Sequence, residues 1–242
     1  MLQIKKYFFL VIFIAASFSI SAQDGGRSFN FGLHVSPNIG WMKSDIDQEV
    51  YKSEGATVHM GYGAELNYFF IKNLGLGTGI NINYAGGKLK YHTLYDIGSN
   101  STIDTVRGIL TRKYRLQYIE VPLVLIGTTG DLLGKFSIYG KFGIGSSFKI
   151  KARANDEFLQ DNTSATFSKE NMNISSDVSF FRESMIIGLG GTYKVAKIIS
   201  LNFCITYNNN FTDILTGTNG ANSSIKENAK ANYVDLSIGV LF

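Results

Sequence analysis

Large apolar side chains and small or polar ones take turns along most of this chain. Over residues 29–41 the odd positions carry Phe29, Phe31, Leu33, Val35, Ile39 and Trp41, and the even ones Asn30, Gly32, His34, Ser36, Asn38 and Gly40. Residues 58–68, 74–84, 136–149 and 199–208 repeat the pattern. The final stretch, YVDLSIGVLF, sets Val234, Leu236, Ile238, Val240 and Phe242 against Tyr233, Asp235, Ser237 and Gly239. A period of two is the mark of a strand with one apolar and one polar face. ESMIIGLGGTY alternates less cleanly, with Met185, Ile187, Leu189 and Tyr193 on one side. RLQYIEVPLVLIG alternates only if Ile119, Val121, Leu123 and Leu125 share a face. Glu120 and Pro122 then point the other way, and a bulge is expected to shift the phase of the upper part.

These runs predict about eight strands, an even number as closed barrels have. Their connections alternate in length. Those near 42–57, 93–112, 151–181 and 213–230 are long and polar, and those near 70–74, 127–135 and 194–198 are short. No second domain is visible. A soluble sandwich would put charges on its outer face; here the non-apolar face is mostly Gly, Ser, Asn and Thr, suited to the crowded inside of a narrow cylinder. Aromatic residues mark strand ends at Phe29, Trp41, Tyr68, Tyr84, Tyr193 and Tyr207, like the girdles at a membrane interface. In lipid every backbone group must be bonded within the protein, so such a sheet has to close. The expected fold is all-β: a single closed antiparallel transmembrane barrel with short periplasmic turns, long extracellular loops and a lumen filled by side chains. A secreted sandwich or lipocalin-like barrel is the rival.

The first segment reads as an address. Lys5 and Lys6 precede an apolar stretch, Tyr7 to Ala16, and a small-residue exit, Ser19 to Ala22. This is the form of a secretory signal peptide, with cleavage expected after Ala22 and residues 23–242 forming the barrel. A retained anchor is less favoured, because the apolar run is short for a span of about 20 residues. Charged residues are 17% of the chain, against roughly 25% in typical soluble domains. The net charge of +4 is spread out, which argues against a nucleic-acid partner. Cys204 is the single cysteine, so no internal disulfide can form, and an inert thiol is expected.

Five stretches carry a family resemblance: FNFGLHVSPNIGW, LGLGTGININYAGG, YIEVPLVLIG, YGKFGIGSSF and the closing YVDLSIGVLF. Together the layout resembles the PorT-like outer-membrane β-barrels of Gram-negative bacteria, often labelled porin family; YIEVPL is the most telling piece. The resemblance implies residence in the outer membrane, among lipid and lipopolysaccharide, and contact with the barrel-assembly machinery during biogenesis. Tyr233, Leu236, Ile238, Val240 and Phe242 resemble the closing signal that this machinery reads. The expected role is structural or a surface interaction, with the loops meeting an extracellular protein or glycan. A narrow porin or a ligand-binding and transport barrel comes second, and a barrel hydrolase third.

The candidate chemistry is a polar lumen network. His34 and Glu65 both fall on the polar face. If the first hairpin turns about residues 42–57, positions summing to about 99 oppose one another, which sets His34 beside Glu65. The last strand must close on the first, bringing Asp235 near Ser36 and His34. Glu120, Lys141, Lys149 and Arg182 are expected to join, because inward charges pair rather than stay bare. A catalytic reading of His34 with two carboxylates lacks a nucleophile. His59 reads as a rim residue and His92 as a loop residue. Asp45, Asp47 and Glu49 alternate in SDIDQE, but a solvated loop explains them better than calcium. The sequon-like NTS and NSS read as ordinary loop polarity, and GLGTG has no following helix to make a dinucleotide site. No catalytic residue, metal ligand or cofactor is expected.

Overall fold

A computed structural model describes residues 28–44, 51–98, 104–132, 134–222, 225 and 227–242. The signal-peptide segment, and with it the cleavage after Ala22, lies outside them, as do Asp45, Asp47 and Glu49. Among the described residues there are ten strands: β1 (Ser28–Ser44), β2 (Tyr51–Gly55), β3 (Thr57–Ile71), β4 (Leu74–Asp96), β5 (Thr105–Thr128), β6 (Phe136–Gln160), β7 (Thr166–Asn173), β8 (Phe181–Lys194), β9 (Ser200–Asn210) and β10 (Ala229–Leu241). Eight of them close a ring in the order β1-β3-β4-β5-β6-β8-β9-β10, every pair antiparallel, with β10 returning to β1. β2 adds to β4 and β7 to β6 at one end only. The short connections gather at one end of the ring and the long ones at the other, the arrangement of an outer-membrane barrel with turns in the periplasm and loops outside.

The wall is oriented as the alternation predicts. Val35, Leu123, Leu125, Ile187, Ile205, Leu236 and Ile238 face outward and are exposed, while Ser36, Glu120, Ser137, Thr206 and Ser237 are buried inside. In lipid this exposed apolar band is the stable arrangement. The expected girdles also form. Phe29 and Tyr68 meet at the turn end, ring centroids 4.6 Å apart, and Trp41 stacks on Tyr207 at the loop end, 6.2 Å apart.

Two corrections concern the loops. Much of what reads as connection is strand: β4, β5 and β6 run for 23, 24 and 25 residues. His92 accordingly lies on β4. The phase shift is also displaced. β5 keeps one parity throughout, and the register breaks on β6, where Gln117 faces Lys151 but Tyr118 faces Lys149. Ile150 is the extra residue, and beyond it the inward positions of β6 change from odd to even, with Ala152, Ala154, Asp156 and Phe158 buried.

Candidate functional site

The lumen has two halves with a buried ion pair between them. Toward the turns lies a polar cavity of about 1070 Å³, lined by His34, Glu65, Lys141 and Asp235 among others, and by turn residues such as Lys72, Gly130 and Lys197 at its mouth. It is therefore open to the periplasmic end. The expectation of a lumen filled throughout is corrected here. Many inward positions in this half are glycines, and large side chains lie flat across them. Lys141 is opposite Gly188, where an added Cβ would come within 2.5 Å of Lys141 Cε. Tyr139 covers Gly190 in the same way, and Glu65 covers Gly32. With the bulk laid along the wall, the axis stays open.

A polar chain crosses this cavity. Tyr139 on β6 donates to Asn202 Oδ1 on β9 at 2.7 Å, and Asn202 Nδ2 donates to Glu65 Oε1 on β3 at 2.9 Å. His34 is diagonal to Glu65 on the same inward face, not directly opposite it as expected. The β1–β3 register pairs His34 with Gly63 and Glu65 with Gly32, so opposing positions sum to 97. The two-residue offset arises because the first connection does not turn symmetrically: β2 occupies part of it. Asp235 faces Asn38, whereas His34 faces Gly239, so Asp235 and His34 are separated along the seam. Neither Lys141 nor Asp235 makes an ion pair among the described residues.

Above the cavity sits Arg182, fully buried. Its Nη2 donates to Glu120 Oε2 at 3.3 Å and to Ser147 Oγ at 3.2 Å. Tyr233 donates to the same carboxylate oxygen at 3.2 Å, and Asn81 Nδ2 donates to Oε1 at 3.5 Å. The guanidinium lies over the rings of Tyr118 and Tyr233, at 4.8 and 5.5 Å from their centroids. Removing two charges from water costs several kcal/mol each, and such a pair persists only when hydrogen bonds and geometry compensate. Glu120 and Arg182 thus join as expected. Lys149 does not; its ammonium donates to the carbonyls of Ser175 and Val178 and fixes the loop that follows β7.

Beyond this belt the interior turns apolar. Leu89, Leu110, Leu116, Phe158, Ile214 and Leu215 pack with Tyr91, Tyr114 and Tyr118 into a core closed by the loops before β8 and before β10. Each large apolar side chain buried this way contributes roughly 1.5–3 kcal/mol. Arg112 grips Asp156 through two bonds of 2.7 Å within it. Burial pushes the Tyr51, Tyr91, Tyr95 and Tyr114 phenols above their ordinary range. Burial likewise pushes the Glu227 carboxyl up, against the pull of Arg112.

The closing strand is built from the residues singled out in the sequence. Leu236 and Ile238 face lipid, Tyr233 turns inward to the belt, and the Phe242 amide donates to Phe31 O at 2.7 Å while its carbonyl accepts from Phe31 N at 3.1 Å. Charge alone marks out the sequence candidates and so misses Asn202, Tyr139, Ser147 and Asn81 as partners, although the alternation puts Tyr139 and Asn202 on the polar face.

A closed antiparallel ring, apolar outside and polar within, defines a transmembrane β-barrel. The family model described as "Outer membrane protein beta-barrel domain" matches residues 10–242, and the chain belongs to that family. Its place is accordingly the outer membrane of a Gram-negative bacterium. Comparison with curated proteins finds no match. Among solved structures the chain is similar to OprG from Pseudomonas aeruginosa, at 12% identity and a TM-score of 0.46, over 90% of this chain and 98% of that one. It is similar to Neisserial surface protein A at 13% identity and 0.41, over 90% and 98%. A third is the outer membrane protease OmpT from Escherichia coli, at 10% and 0.35, over 92% and 99%.

Proposed function

We propose that this barrel is a non-conducting, non-enzymatic outer-membrane protein whose work is done by its outer end, as a structural element or an attachment surface for an extracellular protein or glycan. The observation that carries this reading is the packed core above Arg182 and Glu120, which among the described residues caps the periplasmic cavity on the loop side. The long strands support it: a loop end built from β2, β7 and the extensions of β4–β6 holds a fixed shape, as a surface meant for contact requires. Residues 1–22 serve as the export signal in this reading. Within the family, YIEVPL at 118–123 supports a PorT-like membership in this reading. The alternating close of β10, with Tyr233, Leu236, Ile238, Val240 and Phe242, is what barrel-assembly machinery would engage.

Planar-bilayer recording of the purified, refolded protein tests it. The expected trace is silent; steady, discrete openings overturn the reading in favour of a narrow pore. One observation favours a second reading, the open cavity of about 1070 Å³, which is large enough for a small ligand entering from the periplasm. Its polar lining suits a polar ligand rather than an apolar one.

A further inference from the structure

Just above the lipid-facing band, the outer wall of β4–β5–β6 carries five cations, Lys88, Lys113, Arg115, Lys151 and Arg153, and the sheet sets like against like. Lys88 is in direct register with Lys113, and Arg115 with Arg153. Like charges opposite each other across a strand pair destabilise a sheet. Among the described residues none of the five makes an ion pair. Outward positions of β4 and β5 carry no carboxylate next to them, and on β6 the first is Glu157, four residues past Arg153; of the flanking carboxylates, Glu54 on β2 pairs with Lys90, and Glu170 on β7 makes no ion pair with the five.

The two arginines are moreover held in place. Asn171 of β7 sits at a register break against β6, in the left-handed backbone region at φ 54°. A non-glycine residue adopts that conformation at a cost. From there its Oδ1 accepts from Arg115 Nη2 at 3.2 Å and its carbonyl accepts from Arg153 Nη1 at 3.1 Å, while its own amide donates to Asn155 Oδ1 at 2.9 Å. Arg153 Nε is buried without a protein partner. A strained residue thus orients two forks that repel one another.

We infer that this patch binds the phosphorylated headgroup of an outer-leaflet lipid. Guanidinium forks match phosphate geometry and take up its charge in paired hydrogen bonds. Height favours a lipid over a soluble polyanion. Ile119 and Ile150 are apolar and outward, and Arg115 and Arg153 follow within four residues on the same strands. At about 3.3 Å per residue and a tilt of about 40°, that is a climb of about 10 Å or less, the level of headgroups. The inference rests on the membrane placement argued above and adds the lipid to it.

Full-length protein folded in non-ionic detergent is titrated with diphosphorylated lipid A and with its dephosphorylated form, and retained lipid is read by native mass spectrometry. The phosphorylated form is expected to bind at least ten-fold more tightly. The Arg115→Gln/Arg153→Gln variant should lose that preference while keeping the heat-modifiable gel position of a folded barrel, and Lys43→Gln, on β1, should keep both. Should the double variant misfold, Arg115→Lys/Arg153→Lys preserves the charge and is expected to lose part of the preference with the fork geometry. Equal binding of the two lipids, or undiminished preference in both double variants, overturns the site. So does displacement by inorganic phosphate at the same phosphate concentration, or by a sulfated oligosaccharide at a lower one; the latter would make it a glycan surface. A wild-type protein with no heat-modifiable form would instead overturn the membrane placement.

Discussion

Each of β4 and β5 is a single strand of unbroken parity that lives in two solvents. Toward the turns β4 puts Leu76, Ile80 and Ile82 outside and Gly77, Asn81 and Asn83 inside; toward the loops it puts Lys88, Lys90 and His92 outside and Leu89, Tyr91 and Tyr95 inside. β5 makes the same exchange, from Leu123 outside and Glu120 inside to Lys113 outside and Tyr114 inside. Nothing in the backbone reverses at the crossing. The environment does: lipid requires an apolar exterior, and water requires the apolar residues to be gathered within. The lower half is thus stabilised by its hydrogen-bonded wall and the surrounding lipid, and the upper half by a conventional core. The belt of Arg182, Glu120 and Tyr233 marks where one regime gives way to the other.

That contrast can be broken first at the belt. Glu120→Leu strands a buried guanidinium, with an expected loss of about 3–5 kcal/mol. Adding Arg182→Met should restore most of it; a double variant no more stable than the single one would show that the ion pair is not the issue. Urea unfolding, followed by the shift of the folded gel band, measures both.

The halves are next compared by one substitution made twice on one strand. Leu116→Ala, in the fully buried core, is expected to cost about 2–5 kcal/mol through lost transfer energy and a cavity. Leu123→Ala faces lipid, which closes over the missing methyls, and should cost clearly less. Leu123→Arg, by contrast, sets a charge in the hydrocarbon and should cost up to about 2–4 kcal/mol. Equal losses for the two alanine variants would remove the distinction.

Alkali gives the smallest effect and the sharpest in place. Tyr51, Tyr91, Tyr95 and Tyr114 have phenol pKa values raised by burial, so the folded state holds their protons more tightly than the unfolded state does. Their contribution is intact below about pH 10, the ordinary phenol value, and is lost as pH rises beyond it. Glu227, also raised, contributes fully below the ordinary carboxyl range and loses that contribution as pH climbs through its folded value. Near-ultraviolet dichroism from the tyrosines should therefore change above about pH 10 while the far-ultraviolet sheet signal persists. Loss of both signals together would show that the two halves melt as one.

Period-two reading recovers the membrane half well, because there each strand has one invariant apolar face: residues 29–41 and 233–242 already show which side meets lipid. It fails in the upper half for the reason that makes that half informative. A template of apolar-out positions ends at Tyr84 on β4 and at Ile119 on β5, and the stretch near 93–112 reads as loop although β4 and β5 continue into it with the sense of their alternation exchanged. The lumen was half readable. Parity placed His34, Glu65, Glu120, Lys141 and Asp235 inside, but contacts depend on register, and register depends on the unseen strand β2 and on the bulge at Ile150. The open cavity follows from glycines whose partners, Lys141 and Tyr139, are assigned only once the pairs are known.

The seam between β1 and β10 has a consequence for biogenesis. The first and last strands pair from Gly32 with Leu241 to Ser44 with Ala229. Until β10 has been made and paired, two unpaired edges stay open to any neighbouring chain, and the contact that closes them joins strands far apart in sequence, the slowest kind to form. Before that seam forms the sheet is an open ribbon with two edges that can pair elsewhere, and a late frameshift that removed β10 would leave β1 and β9 without the strand that joins them.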